Sequence, residues 1–234
     1  MSQSIQGTII NASYPRSGHR LLRNMLMHYF HESMVFYEPY ADKIVSKRAP
    51  SGRPNLPNYI KTHDFGLKGR NELADKFPDN RRYLIQIRHP LEAIASYYEF
   101  SVRHSHIKID IKQSWLIFLY DKLEYWKKFV DIWILERKND SLVVKYNELV
   151  RDKETTLKSA ICFLSGSDII DRKKLSDSVN TIGFYQYAGD KKSKKIRERK
   201  IHDFKYYDRN LFFDLESSLS DSYLSRIGID RIID

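Results

Sequence analysis

The 234 residues, 41% hydrophobic and 13% aromatic, exclude a disordered chain and suit one domain with a full core. The single cysteine, Cys162, excludes an internal disulfide, and its place in the apolar run 160–164 predicts structural burial and a reducing compartment. A net charge of +10 and a pI near 9.4 predict an anionic partner, with nucleotide, nucleic acid, membrane surface and acidic glycan all open.

The chain opens with Met1–Gln6, which lacks the regions of a signal peptide, and no apolar run reaches bilayer length; a soluble cytoplasmic protein is the expectation. Thr8-Ile9-Ile10 reads as a strand, and Leu21–Phe30 as a helix. Between them lies Tyr14-Pro15-Arg16-Ser17-Gly18-His19-Arg20. A loop between strand and helix turns backbone N–H groups toward the helix N-terminus and can hold a phosphate. It can equally be a plain turn that carries arginines. It is neither a Walker A loop nor a dinucleotide fingerprint, since the glycine spacing and the Lys-Ser/Thr pair are missing.

Residues 34–37 form a short strand candidate, and the Pro-rich segment 46–58 a surface loop. Asn58–His63 and Arg82–Arg88 read as strands, the second stopped by His89-Pro90. Leu91 to Val102 turns helical. A long amphipathic helix is predicted over 113–136, with Trp115, Leu119, Leu123, Trp126, Phe129 and Trp133 on its core stripe. Ser141–Tyr146 is a further strand, 153–165 a further helix, and 191–200 a basic loop that is either solvated or closes on an anion. This alternation predicts an α/β, P-loop-like three-layer fold with a central, mostly parallel sheet flanked by helices, in a single domain over 1–234. Ligands of such sheets bind beyond the carboxyl ends of the strands. Arg16, His63, Arg88 and Tyr146 all end or follow strand candidates and should gather there.

Four segments, in order, resemble the sulfotransferase family that uses 3′-phosphoadenosine 5′-phosphosulfate (PAPS). Tyr14-Pro15-Arg16-Ser17-Gly18 is similar to its 5′-phosphosulfate loop, T-Y-P-K-S-G-T-T-W. Lys61-Thr62-His63 is similar to its K-T-H segment. Arg88 to Phe100 is similar to R-N-x-x-D-x-x-x-S-Y-Y-x-F, the 3′-phosphate segment, and Val143–Leu149 to a strand ending Y-E-D-L. The resemblance implies PAPS as co-substrate, no metal, and an acceptor hydroxyl, with a carbohydrate or small metabolite as its carrier. It implies that Arg16, Ser17, Gly18, His19 and Arg20 hold the 5′-phosphosulfate, and that Arg88 and Ser96 hold the 3′-phosphate. Tyr146 and Phe184 would lie at the adenine. Arg197, within a segment similar to R-K-G-x-x-G-D-W-K, would clamp the 3′-phosphate, with Arg199 or Lys200 as substitutes.

The departures are specific. Arg16 stands where the family has lysine; it keeps charge but will not give up a proton. His19-Arg20 replace two threonines, Leu21 replaces a tryptophan that stacks on adenine, and His89 and Glu92 replace Asn and Asp. Both glycines of the last segment are Arg199 and His202 here.

Sulfuryl transfer to a hydroxyl needs a base with a pKa near working pH, and His63 is the candidate, with Lys61 beside it to stabilise charge. His19 and His89 are rivals, His89 better placed to shape the turn. Glu92 or Glu99 could instead pair with Arg88. Residues 34–58 and 100–114 form the expected acceptor side; Arg48, Arg53, Arg103, His104 and His106 there suit either an acidic or polyhydroxylated acceptor or, the reading favoured, a solvated surface. A P-loop-like nucleotide enzyme or kinase would share fold and loop but supplies no magnesium motif here. A nucleic-acid-binding protein would account for the charge but not for four ordered segments, and would show steep salt dependence.

Overall fold

The computed structural model describes residues 4–38, 43–45, 58–69, 81–136, 140–181 and 199–233. A six-stranded sheet runs in the order β3-β2-β4-β1-β5-β6. The strands are β1 (Thr8–Ser13), β2 (Phe36–Glu38), β3 (Lys43–Val45), β4 (Tyr59–Thr62), β5 (Arg81–Ile87) and β6 (Ser141–Lys145). All neighbours pair in parallel except β2 and β3, so the expected parallel sheet carries an antiparallel edge. The helices are α1 (His19–Phe30), α2 (Pro90–Arg103), α3 (Lys112–Val130), α4 (Tyr146–Arg151), α5 (Lys153–Ser165), α6 (Arg172–Thr181), α7 (Arg209–Ser217) and α8 (Asp221–Ile227).

Helices cover both faces. Alternate side chains of a strand point to opposite sides, and the core divides accordingly. Ile10, Ala12, Tyr83, Ile85, Ile87 and Val143 pack toward α2, α3, α7 and α8. Ile9, Tyr59, Leu84 and Val144 pack toward α1, α5 and α6. The first face stays apolar to the ends of the central strands β1 and β5, where Ala12 and Ile87 are buried. The second turns polar near the carboxyl ends, where Asn11, Ser13, Lys61 and Gln86 are buried at 1%, 0%, 3% and 0% exposure. In register, Asn11 lies between Lys61 and Leu84, and Ser13 beside Gln86.

The long aromatic helix is core: Trp115, Leu119, Leu123, Trp126, Phe129 and Trp133 are all buried. It does not run as one α-helix to 136, because residues Asp131–Leu135 open into a π turn. The expected strand ending at Tyr146 stops one residue earlier, and Tyr146 begins α4. Cys162 is half-buried rather than buried. Leu157, Ala160, Ile161 and Leu164 fill the core stripe of α5 at helical spacing, and residue 162 lies off it. Most of the basic loop and of segment 46–58 lies outside the described residues. No described helix is long and apolar enough to cross a membrane.

Candidate active site

Residues 14–18 carry β1 into α1. Tyr14 anchors the loop: its ring stacks on Tyr125 at 5.2 Å, and its hydroxyl donates to the Lys122 carbonyl at 3.0 Å. Arg16 (φ 68°) and Gly18 (φ 84°) both take the left-handed conformation. At Gly18 there is also no room, since a Cβ would lie 2.9 Å from Tyr146 Cδ2. α1 then starts with no side-chain cap and no acidic residue in its first turn. Its leading N–H groups and positive dipole end therefore face the loop, the arrangement that binds an anion. The buried Ser17 hydroxyl makes no hydrogen bond among the described residues. Such an orphan suits a ligand oxygen. Gln86 Nε2 supports the loop from the polar layer, 3.5 Å from the Ser17 carbonyl.

The loop and the next motif touch. Arg16 Nε donates to Ser96 Oγ on α2 at 3.1 Å, and the Arg16 guanidinium sits 5.0 Å over the Phe100 ring. Arg88, just past β5, is buried; its guanidinium lies 4.3 Å over the Tyr146 ring, and its Nε donates to Glu92 Oε2 at 3.1 Å. Pairing with Glu92 is thus present, but it uses Nε, and the outer nitrogens make no hydrogen bond among the described residues. Trp126 Nε1 fixes the Arg88 backbone by donating to its carbonyl at 3.1 Å. Tyr146 is the hinge of the arrangement, with Gly18 on one side and Arg88 on the other.

His63 follows β4. Its Nδ1 lies 2.5 Å from the Ser13 carbonyl, and its Nε2 lies 2.7 Å from Lys61 Nζ. A carbonyl only accepts, so Nδ1 carries the hydrogen and Nε2 keeps the lone pair, which Lys61 donates to. Tyr125 donates its hydroxyl to the His63 carbonyl. Asp64 (φ 49°) locks the following turn: its carboxylate accepts from Lys68 N, Gly69 N and Trp133 Nε1, each at 2.9 Å. The π turn of α3 is what presents Trp133 there.

The rival histidines are placed differently. The His19 ring meets the His63 ring edge-on at 5.4 Å. Burial, then Lys61, His63, Arg23 and Arg20, push His19 down to about 2, so it stays neutral at any working pH and is a poor base. His89 faces the other side of the sheet, where its Nε2 lies 2.9 Å from Glu216 Oε1.

Arg20 is exposed, and Leu21 is buried in the core under α1, so packing occupies the position of the stacking tryptophan. Phe184 and Arg197 lie outside the described residues. Lys200 is exposed, its backbone N–H donating to Asp203. Arg199, expected as a phosphate ligand, is instead committed to Glu99: Nη1 reaches Oε2, Nη2 donates to Oε1 at 3.1 Å, and the guanidinium packs 4.1 Å over Phe204. Lys205, whose backbone N–H also donates to Glu99, converges with the hydroxyls of Tyr98 and Tyr206 on Asp110. Arg199→Ala is therefore expected to lower stability by roughly 1 kcal/mol, a half-exposed ion pair's worth, and to leave nucleotide affinity within about threefold. Thermal melts with titration calorimetry check this; a loss of affinity of about tenfold or more would return Arg199 to the phosphate site.

The residues that sequence reasoning missed are Ser13, Asp64, Phe65 and Tyr125. Phe65, 48% exposed, lies 5.2 Å from the His63 ring and 6.0 Å from Tyr125. The one available signal was that Asp64 and Phe65 adjoin the Lys61–His63 motif.

No protein-family model matches the chain, and no curated protein sequence matches it. Solved structures do. A mouse sulfotransferase, SULT7A1, complexed with PAP, superposes with a TM-score of 0.65 at 16% identity, covering 98% of this chain and 91% of its own. Retinol dehydratase in complex with androsterone and inactive cofactor PAP gives 0.57 at 13% identity over 96% and 82%. A sulfotransferase from Alicyclobacillus acidocaldarius gives 0.54 at 12% identity over 97% of both chains. With its parallel sheet, its strand-loop-helix start and these likenesses over nearly its whole length, the chain has the sulfotransferase fold.

Proposed function

We propose that the chain is a sulfotransferase that moves a sulfuryl group from PAPS to an acceptor hydroxyl, on a carbohydrate or a small metabolite. The observation that carries this reading is the meeting of two cationic cradles. Arg16 of the first loop bonds Ser96 of the second, and Tyr146 touches Gly18 and Arg88 at once. A nucleotide with anionic groups on both its 5′ and 3′ sides suits that pairing; one with a single phosphate chain leaves Arg88 without work. The PAP bound in two of the similar structures supports the same donor.

PAPS supplies an activated sulfuryl group. The α1 N-terminus, Ser17 and Arg16 hold its phosphosulfate, and Arg88 with Ser96 holds its 3′-phosphate. His63 Nε2 takes the acceptor proton as the acceptor oxygen bonds sulfur and the bond from sulfur to the bridging oxygen breaks. Lys61 leaves Nε2 for the sulfuryl oxygens as charge builds there. Arg16 stabilises the departing bisphosphate by charge and gives it no proton. The exposed Phe65 ring offers the acceptor an apolar face beside the base.

The test is calorimetric binding of adenosine 3′,5′-bisphosphate against adenosine 5′-monophosphate. The bisphosphate is expected to bind about 100-fold tighter, with the preference lost in Arg88→Ala. Equal affinities in the wild type would overturn the 3′-phosphate site, and the donor with it.

A further inference from the structure

His89 is the one residue between the two halves of the 3′-phosphate site. Arg88 precedes it, and α2, which carries Ser96, begins at Pro90. Its backbone is set by Ala93 N, which donates to the His89 carbonyl at 2.9 Å. Its side chain turns away from Arg88, into the opposite core, and meets Glu216 of α7.

That carboxylate is fully buried. Oε1 accepts from Ile232 N at 2.8 Å and Oε2 from Ile233 N at 3.3 Å. His89 Nε2 lies 2.9 Å from Oε1, at an angle off a straight hydrogen bond. A lone pair facing a carboxylate at that distance would repel, so Nε2 carries the hydrogen. Burial raises the Glu216 carboxyl, but His89 and the two backbone N–H groups outweigh it and hold the group below the usual carboxylate range. A buried carboxylate with three donors around it is a fixed point in the core. Ile229 and Ile233 pack in the same core, so residues 229–233 share that point.

We propose that Glu216 is a positioning residue: through His89 it fixes the turn between β5 and α2, and so sets Arg88 and Ser96 for the 3′-phosphate, tying segment 229–233 to donor binding. This rests on the donor site proposed above. It concerns residues that touch no ligand, on the far side of the sheet from the nucleotide.

The experiment separates position from mere folding. A glutamine side chain carries its amide nitrogen as far out as Nε2, and an asparagine only as far as Nδ1. His89→Gln can therefore still donate to Glu216, and His89→Asn cannot. Bisphosphate and monophosphate affinities are measured by calorimetry for both variants, for Glu216→Gln and for Arg88→Ala, with melting temperatures alongside. The expected result is that His89→Asn loses about tenfold of the preference for bisphosphate, with monophosphate affinity within about twofold, while His89→Gln stays near wild type. Glu216→Gln keeps one oxygen that still accepts from His89, so it should stay closer to His89→Gln than to His89→Asn; the Asn and Gln pair at 89 decides the matter. Equal preference in His89→Asn, His89→Gln and wild type, with Arg88→Ala still impaired, overturns the positioning role and leaves the donor site standing. An Arg88→Ala protein that keeps the preference overturns both.

Discussion

His63→Ala is expected to lower kcat/KM by about 10²–10⁴-fold, while bisphosphate affinity stays within about twofold. The size follows from how completely the imidazole is prepared. The Ser13 carbonyl fixes the hydrogen on Nδ1, and the basic lone pair on Nε2 points to Lys61. Tyr125 and the Asp64 turn hold the backbone on either side. His19, the other histidine at hand, cannot take over, because its surroundings push it down to about 2. The measurement is release of bisphosphate from PAPS with any acceptor that the wild type turns over. A loss of less than about threefold would move the base elsewhere. The bisphosphate titration separates this from a damaged donor site.

Gly18→Ala should be the most damaging single methyl in the chain for donor binding, with bisphosphate affinity falling by about 100-fold or more. Two costs coincide. The backbone at φ 84° is left-handed, which an L side chain adopts at a cost of about 1–2 kcal/mol. The new Cβ would sit 2.9 Å from Tyr146 Cδ2 and 3.1 Å from Leu149 Cδ2. The Tyr146 ring cannot retreat freely, since its face carries the Arg88 guanidinium at 4.3 Å. Relief at the first cradle therefore disturbs the second. Gly66→Ala is the matched control, because its Cβ would meet only the flexible Lys68 side chain at 3.4 Å. Calorimetry on both variants checks this; near-normal binding by Gly18→Ala would remove the 14–18 loop from the phosphosulfate site.

What could be read in the sequence was what neighbouring residues decide together. The strand-loop-helix at 14–20, the turn at His89-Pro90 and the Lys61–His63 pair each lie within a few residues, and their periodicity and turn chemistry placed them at one sheet edge. Contacts between distant residues could not be read. Arg199 looked like a phosphate ligand because its partner Glu99 stands 100 residues away. Leu21 stands where the resembling family has its stacking tryptophan, and helical periodicity with Leu22, Met25 and Leu26 draws it into the core. Trp126 reads as core and Tyr125 does not stand out; both are buried, and an aromatic with a polar tip can pack and still hold a backbone carbonyl. His89 showed its place in the turn, while Glu216, which explains why a histidine stands there, gave no local sign.

The two faces of the sheet differ in how they can change over time. On the α2–α3 face the central strands pack to their ends at Ala12 and Ile87, so alteration of those side chains is felt first as lost stability. On the α1 face the packing gives way, one turn before the strands end, to Asn11, Ser13, Lys61 and Gln86. Among the described residues, the oxygens Asn11 Oδ1 and Gln86 Oε1 have no hydrogen-bond partner. An apolar residue in place of Gln86 would suit the core better and the loop above it worse, since Gln86 Nε2 reaches the Ser17 carbonyl. Drift toward a sturdier molecule would thus loosen the 14–18 loop first, and keeping the Gln86 amide means holding a weaker half-core beneath it.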